Sequence, residues 1–275
     1  MQTVRRAIYN LLPIGARRGV TDWWVSRRRA RYSQRHLSGE GLEIGAMHFP
    51  LPVRPGVKVQ YVDYASPEEN VQRFGEEVRR REQVRPDYIE DGFELPSISA
   101  ETQDFLIASH VLEHSPNPIK ALETWWRVLR PGGVLFLVVP IFDRCFDRGR
   151  KLTSLEHMID DRRLCEEGMT EEFERRNLDH YREWISISNP NAARASGETP
   201  EVLSTEELTA QALAAARAGD EIHFHTFSVQ SFSELLQYVA SLAGGRLLEL
   251  ADLRGEVIGV LLKQDPPHPL RGSPG

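Results

Sequence analysis

Glu43, Gly45 and Asp63 have the types and the spacing that a nucleotide-like ligand needs. Gly45 closes the strand-like run Gly41-Leu-Glu-Ile-Gly45, and a glycine there lets the backbone turn close against a ligand. Asp63 ends a second strand eighteen residues later, the separation at which βαβ units bring an acid to ribose hydroxyls. Asp91-Gly92 follows a third strand, where a carboxylate can accept a hydrogen bond from an adenine amino group. A lone glycine after a strand is common, so this pattern gains weight only with company.

A second set of reactive side chains falls between residues 141 and 227. It contains Asp147, Arg148, Glu156, His157, His180, Tyr181, Trp184, His223 and His225. An imidazole beside a hydroxyl acts as a general base, and imidazoles with carboxylates also hold metals. His223 and His225 are two apart, which on an extended segment puts both on one face. Blander roles fit the same residues: His180 and Glu156 as helix-surface or capping groups, Asp147 and Arg148 as a structural ion pair.

The elements that must position these residues alternate as strand and helix, the signature of a parallel α/β sheet. Strands are expected at 41–45, 57–63, 87–91, 104–109 and 134–139, with a charged helix over 67–84. Asn117 caps a helix that Pro118 opens, and Ile119, Leu122, Trp125, Trp126 and Leu129 form its buried face. Arg130-Pro-Gly-Gly133 stops it. Ser204-Thr-Glu-Glu207 is a capping box before an Ala-rich helix, and Asn189–Pro200 reads as a loop. A helix over 228–242 and strands at 246–252 and 256–263 finish the pattern, the short link between those strands suggesting an antiparallel hairpin.

The run Asp104-Phe-Leu-Ile-Ala-Ser-His-Val-Leu-Glu-His114, the Pro-capped helix, Leu129-Arg-Pro-Gly-Gly133 and the apolar strand after it resemble class I S-adenosylmethionine-dependent methyltransferases. The resemblance is closest to the subgroup that includes ubiquinone-biosynthesis-type enzymes, and it covers residues 41–140 and, more loosely, 228–263. It implies an α/β, Rossmann-like, seven-stranded and mostly parallel sheet with an antiparallel last hairpin strand, plus a helical insertion after strand five. It also implies a pocket for the methyl donor lined by Glu43, Gly45, Asp63, Asp91, Ser109 and His110, with neighbours Ala46, Tyr64 and Gly92. Glu43 would approach the methionine end, Asp63 the ribose and Asp91 the adenine. The family's glycine-rich loop is missing, because Ala46-Met-His-Phe-Pro50 follows Gly45.

The pieces Asp143-Arg-Cys-Phe-Asp-Arg148, Leu152-Thr-Ser-Leu-Glu-His157, His180-Tyr-Arg-Glu-Trp184 and His223-Phe-His225 resemble a bacterial methyltransferase group found with polysaccharide pathways. That resemblance implies a sugar hydroxyl as acceptor, a mannoside among the candidates. His157 or His225 would be the base, with Glu156 and Asp147 orienting it or holding Mg²⁺. Arg148, His180, Tyr181, Trp184 and His223 would contact substrate. Competing readings are an N- or C-methyltransferase of a small metabolite or lipid, a nicotinamide oxidoreductase, and a non-catalytic scaffold.

Composition bounds the rest. The 275 residues are 40% hydrophobic and 27% charged with net charge −6, an ordinary globular balance. The expected organisation is a basic helical extension over 1–40, a core over 41–140, an inserted cap over 141–227, the end of the core over 228–264, and a disordered tail over 265–275. The two cysteines, Cys145 and Cys165, suit a reducing cytoplasm, with one bridge between them left open. No apolar run approaches the ~20 residues of a membrane span, and no secretory signal is evident. Residues 1–39 carry +8 and the remainder −14. Such a start either packs on the acidic body with its arginines in water or lies on an anionic membrane. An acidic whole argues against nucleic acid. A small-molecule acceptor is the expected partner, and a homodimer is compatible with the sequence.

Overall fold

The computed structural model describes residues 14–74 and 82–264. Seven strands form one sheet: β1 Glu40–Ile44, β2 Lys58–Asp63, β3 Tyr88–Ile89, β4 Gln103–Ser109, β5 Leu129–Pro140, β6 Gly245–Asp252 and β7 Glu256–Lys263. Their order is β3-β2-β1-β4-β5-β7-β6. All pairs from β3 to β5 are parallel, whereas β7 runs antiparallel to both β5 and β6. This is the expected Rossmann-like arrangement. β1 and β4 sit side by side where the strand order reverses, so their carboxyl ends frame the crevice in which open α/β sheets bind ligands.

The helices are α1 Ile14–His36, α2 Pro67–Phe74, α3 Pro118–Val128, α4 Leu155–Glu166, α5 Thr170–Glu183, α6 Asn189–Ala195, α7 Thr205–Ala218 and α8 Val229–Ala243. Cores pack on both faces of the sheet, Trp125 and Phe232 on one, Phe105 and Phe136 on the other. A third cluster of Tyr181, Ala212, Ile222 and Phe224 lies within the insertion. Asn117 caps α3 through its side chain to the Lys120 amide, 3.1 Å away. On the buried face of that helix, Trp125 Nε1 donates to the Gly92 carbonyl at 2.7 Å, tying α3 to the turn that carries Asp91.

Several expectations need correction. Of the helix expected over 67–84, Pro67–Phe74 is helical and residues 82–84 are not; 75–81 lie outside the described residues, as do the start of the basic extension and the tail 265–275. β3 shrinks to two residues. β5 begins at Leu129 rather than Val134, pairing with Gln103 across an irregularity in the ladder. The loop assigned to Asn189–Pro200 opens as α6, which continues α5 through a π-helical turn at Trp184–Ser188, so that Pro190 sits just after that turn. Cys145 and Cys165 are both free thiols.

The basic extension also departs from an all-solvated helix. Trp23 and Trp24 are exposed, but Arg29 is buried and reaches Glu256 at the start of β7. Among the described residues, no helix is long and apolar enough to cross a membrane.

Candidate active site

The carboxyl ends of β1, β2 and β4 open onto a cavity of about 420 Å³ that holds Asp63, Tyr64, Asp91, Gly92, His110 and His114. The two acids expected to grip a ribose and an adenine thus share one wall. Asp63 is buried, and that burial raises its pKa even though the Ala65 amide donates to it. Asp91 is exposed and accepts from the Phe93 amide through Oδ1 at 2.7 Å, which fixes the carboxylate while its other oxygen stays available. Gly92 has a steric reason: a Cβ there would lie 2.5 Å from Ile44 Cγ2. Gly45 turns with φ +65°, the left-handed conformation a glycine adopts without strain.

A second cavity of about 420 Å³ adjoins the first, sharing Gly45, Met47 and His110 and adding Arg29, Glu43, Ala46, Ser109 and Glu256. Two buried polar atoms of its lining, Glu43 Oε2 and Ser109 Oγ, have no hydrogen-bond partner in the protein. Such atoms are costly unless something satisfies them. Burial pushes the Glu43 carboxyl up to about 7, opposed by the Leu51 amide and the Arg29 charge. Met47 in the departed loop takes φ +46° and lines both cavities, so the substituted loop still shapes the pocket.

Along this cavity runs a charge network. Arg29 donates from Nε to Glu256 Oε1 at 2.9 Å and from the terminal nitrogen to Oε2 at 2.5 Å. His110 Nε2 lies 3.0 Å from Glu256 Oε2, and its Nδ1 lies 3.5 Å from Glu113 Oε1. Burial disfavours the imidazolium, but Glu113 and Glu256 outweigh it and lift His110 to about 9. Burial also opposes the charge on Glu256, yet Arg29 and His110 hold its carboxyl down to about 2.

On the insertion side of the first cavity stands His114. Its Nδ1 donates to the Ile222 carbonyl at 3.0 Å, which leaves Nε2 as the acceptor in the neutral ring. Burial holds its pKa below the ordinary histidine value. The His223 ring crosses it edge-on at 4.7 Å and is clamped in turn by Asp147, 2.6 Å from Nδ1. Asp147 is buried, and its Oδ1 also accepts from Ser188 at 2.7 Å and Arg150 at 3.2 Å. Burial alone would raise its pKa, but His223, Ser188 and Arg150 hold it down to about 2.

The insertion residues divide differently from expectation. His157, His180 and His225 gather in a separate cluster, and none of them lines the cavity of Asp63 and Asp91. His223 and His225 part company, one joining Asp147 and the other His157 and His180. Glu156 is exposed and outside both clusters. With Asp147 spent on His223, Ser188 and Arg150, the oxygen cage that Mg²⁺ prefers is not assembled around these two acids. Arg148 is exposed and donates to the Asp143 carbonyl; the ion pair of Asp147 is with Arg150 instead. Tyr181 is a buried member of the insertion core whose hydroxyl donates to the Asp220 carbonyl, so it offers no stacking face. Trp184 is half-buried against Phe146 and His223.

A family model described as a methyltransferase domain matches residues 40–137, from β1 through most of β5. The match supports S-adenosylmethionine-dependent methyl transfer and leaves the acceptor open. No curated protein matches the chain. Among solved structures, a SAM-dependent methyltransferase from Aquifex aeolicus aligns at 13% identity over 82% of this chain and 81% of its own, with a TM-score of 0.38. Another from Thermotoga maritima aligns at 15% identity over 90% of this chain and 96% of its own, with a TM-score of 0.40.

Proposed function

We propose that this chain transfers a methyl group from S-adenosylmethionine to a hydroxyl, that of a sugar or oligosaccharide, with His114 as general base. One observation carries the reading: an imidazole whose Nδ1 is held by the Ile222 carbonyl stands in the same cavity as Asp63 and Asp91. A neutral amine already carries the electron pair it needs, whereas a hydroxyl is a poor nucleophile until its proton is taken. The series of histidines and aromatics in the insertion, similar to a polysaccharide-linked group, points the acceptor toward saccharides, a mannoside among them.

The donor fits the residues present. Asp63 would hold the ribose and Asp91 the adenine. Glu43 Oε2 and Ser109 Oγ, both buried and unpaired, would meet the polar amino-acid end. When bound, the donor supplies a methyl group on a sulfonium, already an activated electrophile. The protein must then exclude water, align the acceptor and remove one proton. His114 Nε2 takes that proton, and the Ile222 carbonyl keeps Nδ1–H facing away from the acceptor.

Calorimetry tests the donor site. Adenosylhomocysteine should bind and NAD should not. Asp63→Ala should weaken binding about ten- to hundredfold, the worth of one or two hydrogen bonds to a charged group. Absence of binding by the unaltered protein would remove the reading. Labelled donor offered with mannosides, other saccharides and lipid extracts then identifies the acceptor, and label appearing only in lipid or amine would overturn the sugar.

Glu43 adds a pH dependence. An ammonium at the amino-acid end favours ionised Glu43, whose pKa in the empty pocket is about 7. Binding therefore releases a proton, and affinity should rise about tenfold between roughly pH 6 and pH 8. Glu43→Gln should flatten that profile; a wild-type affinity independent of pH would detach Glu43 from the ligand.

A further inference from the structure

Four side chains of the insertion meet with no role in the chemistry above. His157 and Asp161 lie four residues apart on α4 and so share a face. His180 comes from the last turn of α5, and His225 from the segment between α7 and α8. One ligating atom from each lies within 4.8 Å of all the others. His157 Nε2 is 3.1 Å from His180 Nε2 and 3.2 Å from Asp161 Oδ2, and His225 Nε2 is 4.0 Å from that same oxygen.

We propose that His157, Asp161, His180 and His225 bind one Zn²⁺-type ion, which ties α4, α5 and the 221–227 segment of the insertion together. Two of the spacings match a tetrahedral site, and the remaining ligand atoms stay within 4.8 Å. Bonds of about 2.0–2.1 Å to zinc place neighbouring ligand atoms roughly 3.3 Å apart, close to the two shortest separations here. The carboxylate also has an open valence in the protein alone. Asp161 Oδ2 is a buried atom without a hydrogen-bond partner, His225 Nε2 reaches only the Pro116 carbonyl beside it, at 3.4 Å, and Asp161 and His225 are each at least 99% buried.

An outer shell already orients the carboxylate. Arg176 Nε donates to Asp161 Oδ1 at 2.7 Å and its terminal nitrogen to the His157 carbonyl at 3.0 Å, which turns Oδ2 toward the three rings. Outer-shell partners of this kind fix first-shell ligands in metal sites. The donors select the ion: three imidazoles and one carboxylate suit zinc, whereas Mg²⁺ and Ca²⁺ take oxygen. Four protein ligands close the sphere, the mark of a structural rather than a catalytic site. An entry path exists, since His157 and His180 line a cavity of about 370 Å³ open to the surface.

The other histidine cluster, Glu113, His114 and His223, does not compete. His114 and His223 are engaged with Ile222 and Asp147, and Glu113 faces His110.

The test uses the full chain without an affinity tag, stripped by a chelator and titrated with Zn²⁺. One ion per chain should bind and raise the unfolding temperature, and Co²⁺ in its place should show the visible bands of a tetrahedral complex. His157→Ala, at a partly exposed position, should lower Zn²⁺ affinity by about a hundredfold or more, beyond the ten- to hundredfold typical of outer-shell changes. His180→Gln should do the same, while His36→Ala and His114→Ala should each keep one ion. No binding by the unaltered chain, or undiminished binding by His157→Ala and His180→Gln, would overturn the site. Because the readout is metal stoichiometry and stability, failure here leaves the methyl-transfer reading standing, and the reverse also holds.

Discussion

His114→Ala is expected to slow methyl transfer by about 10²–10⁴-fold, the range that a positioned general base contributes, while adenosylhomocysteine affinity stays within a few fold. The reasoning starts from the hydrogen bond to the Ile222 carbonyl. A carbonyl can only accept, so it fixes the proton on Nδ1 and presents a lone pair on Nε2. Burial keeps that pair unprotonated at neutral pH, because the charged ring is the form burial disfavours. Turnover should therefore lose its acid limb below the ordinary histidine pKa of about 6.5 and run flat through neutrality. His114→Asn can keep an N–H at the Nδ1 position for the Ile222 carbonyl but carries no base at the Nε2 position, so it should be as slow as the alanine variant. By contrast, His157→Ala should turn over at close to the unaltered rate, since His157 stands outside this cavity. Single-turnover measurements decide: an undiminished rate in His114→Ala removes it as the base.

Much of the frame was legible because it is written in local patterns. β1, β2, β4 and α3 follow from apolar runs, a capping Asn117 and Pro118, and the Arg130-Pro-Gly-Gly133 stop. The acids at 63 and 91 follow from their positions at strand ends. What the sequence hid was set by distant contacts. Nothing local distinguishes Arg29 from the arginines around it, and its partner Glu256 lies 227 residues away. His223 and His225 separate because α4 and α5 claim one ring while Asp147 claims the other. Asp161, by contrast, could have been found: four residues after His157 on a helix, it had to share that face. His114 stood inside the motif run, but only the Ile222 carbonyl, 108 residues on, reveals its tautomer. Ala192, Ala193 and Ala195 make α6 helical despite Pro190, which falls just after the π-helical turn at Trp184–Ser188 that joins α6 to α5.

The Arg29–Glu256–His110 network should dominate stability as His114 dominates rate. Removing one member of a buried pair leaves the other charge uncompensated, at a cost of about 3–5 kcal/mol. Glu256→Ala should thus lower the unfolding temperature by roughly ten degrees. Replacing both partners, Arg29→Met with Glu256→Leu, should recover much of that loss, because a matched apolar pair carries no stranded charge. The pH dependence has a definite sign. The Glu256 carboxyl sits at about 2 in the folded chain against an ordinary 4.5, so its contribution, on the order of 3 kcal/mol, is complete above about pH 4.5 and disappears as pH falls toward 2. Asp147, also near 2 when folded, loses its share over much the same range. Denaturant unfolding between pH 5 and pH 2.5 should show a steep decline in the unaltered chain and a shallower one in Glu256→Ala, whose remaining slope belongs chiefly to Asp147. The same variant frees His110 from one of the two carboxylates that hold its proton, so the imidazole shared by both cavities should titrate nearer neutrality. If Glu256→Ala unfolds at the same denaturant concentration as the unaltered chain, Arg29 is solvated through another route and the tie between α1 and β7 is not what holds the second cavity together.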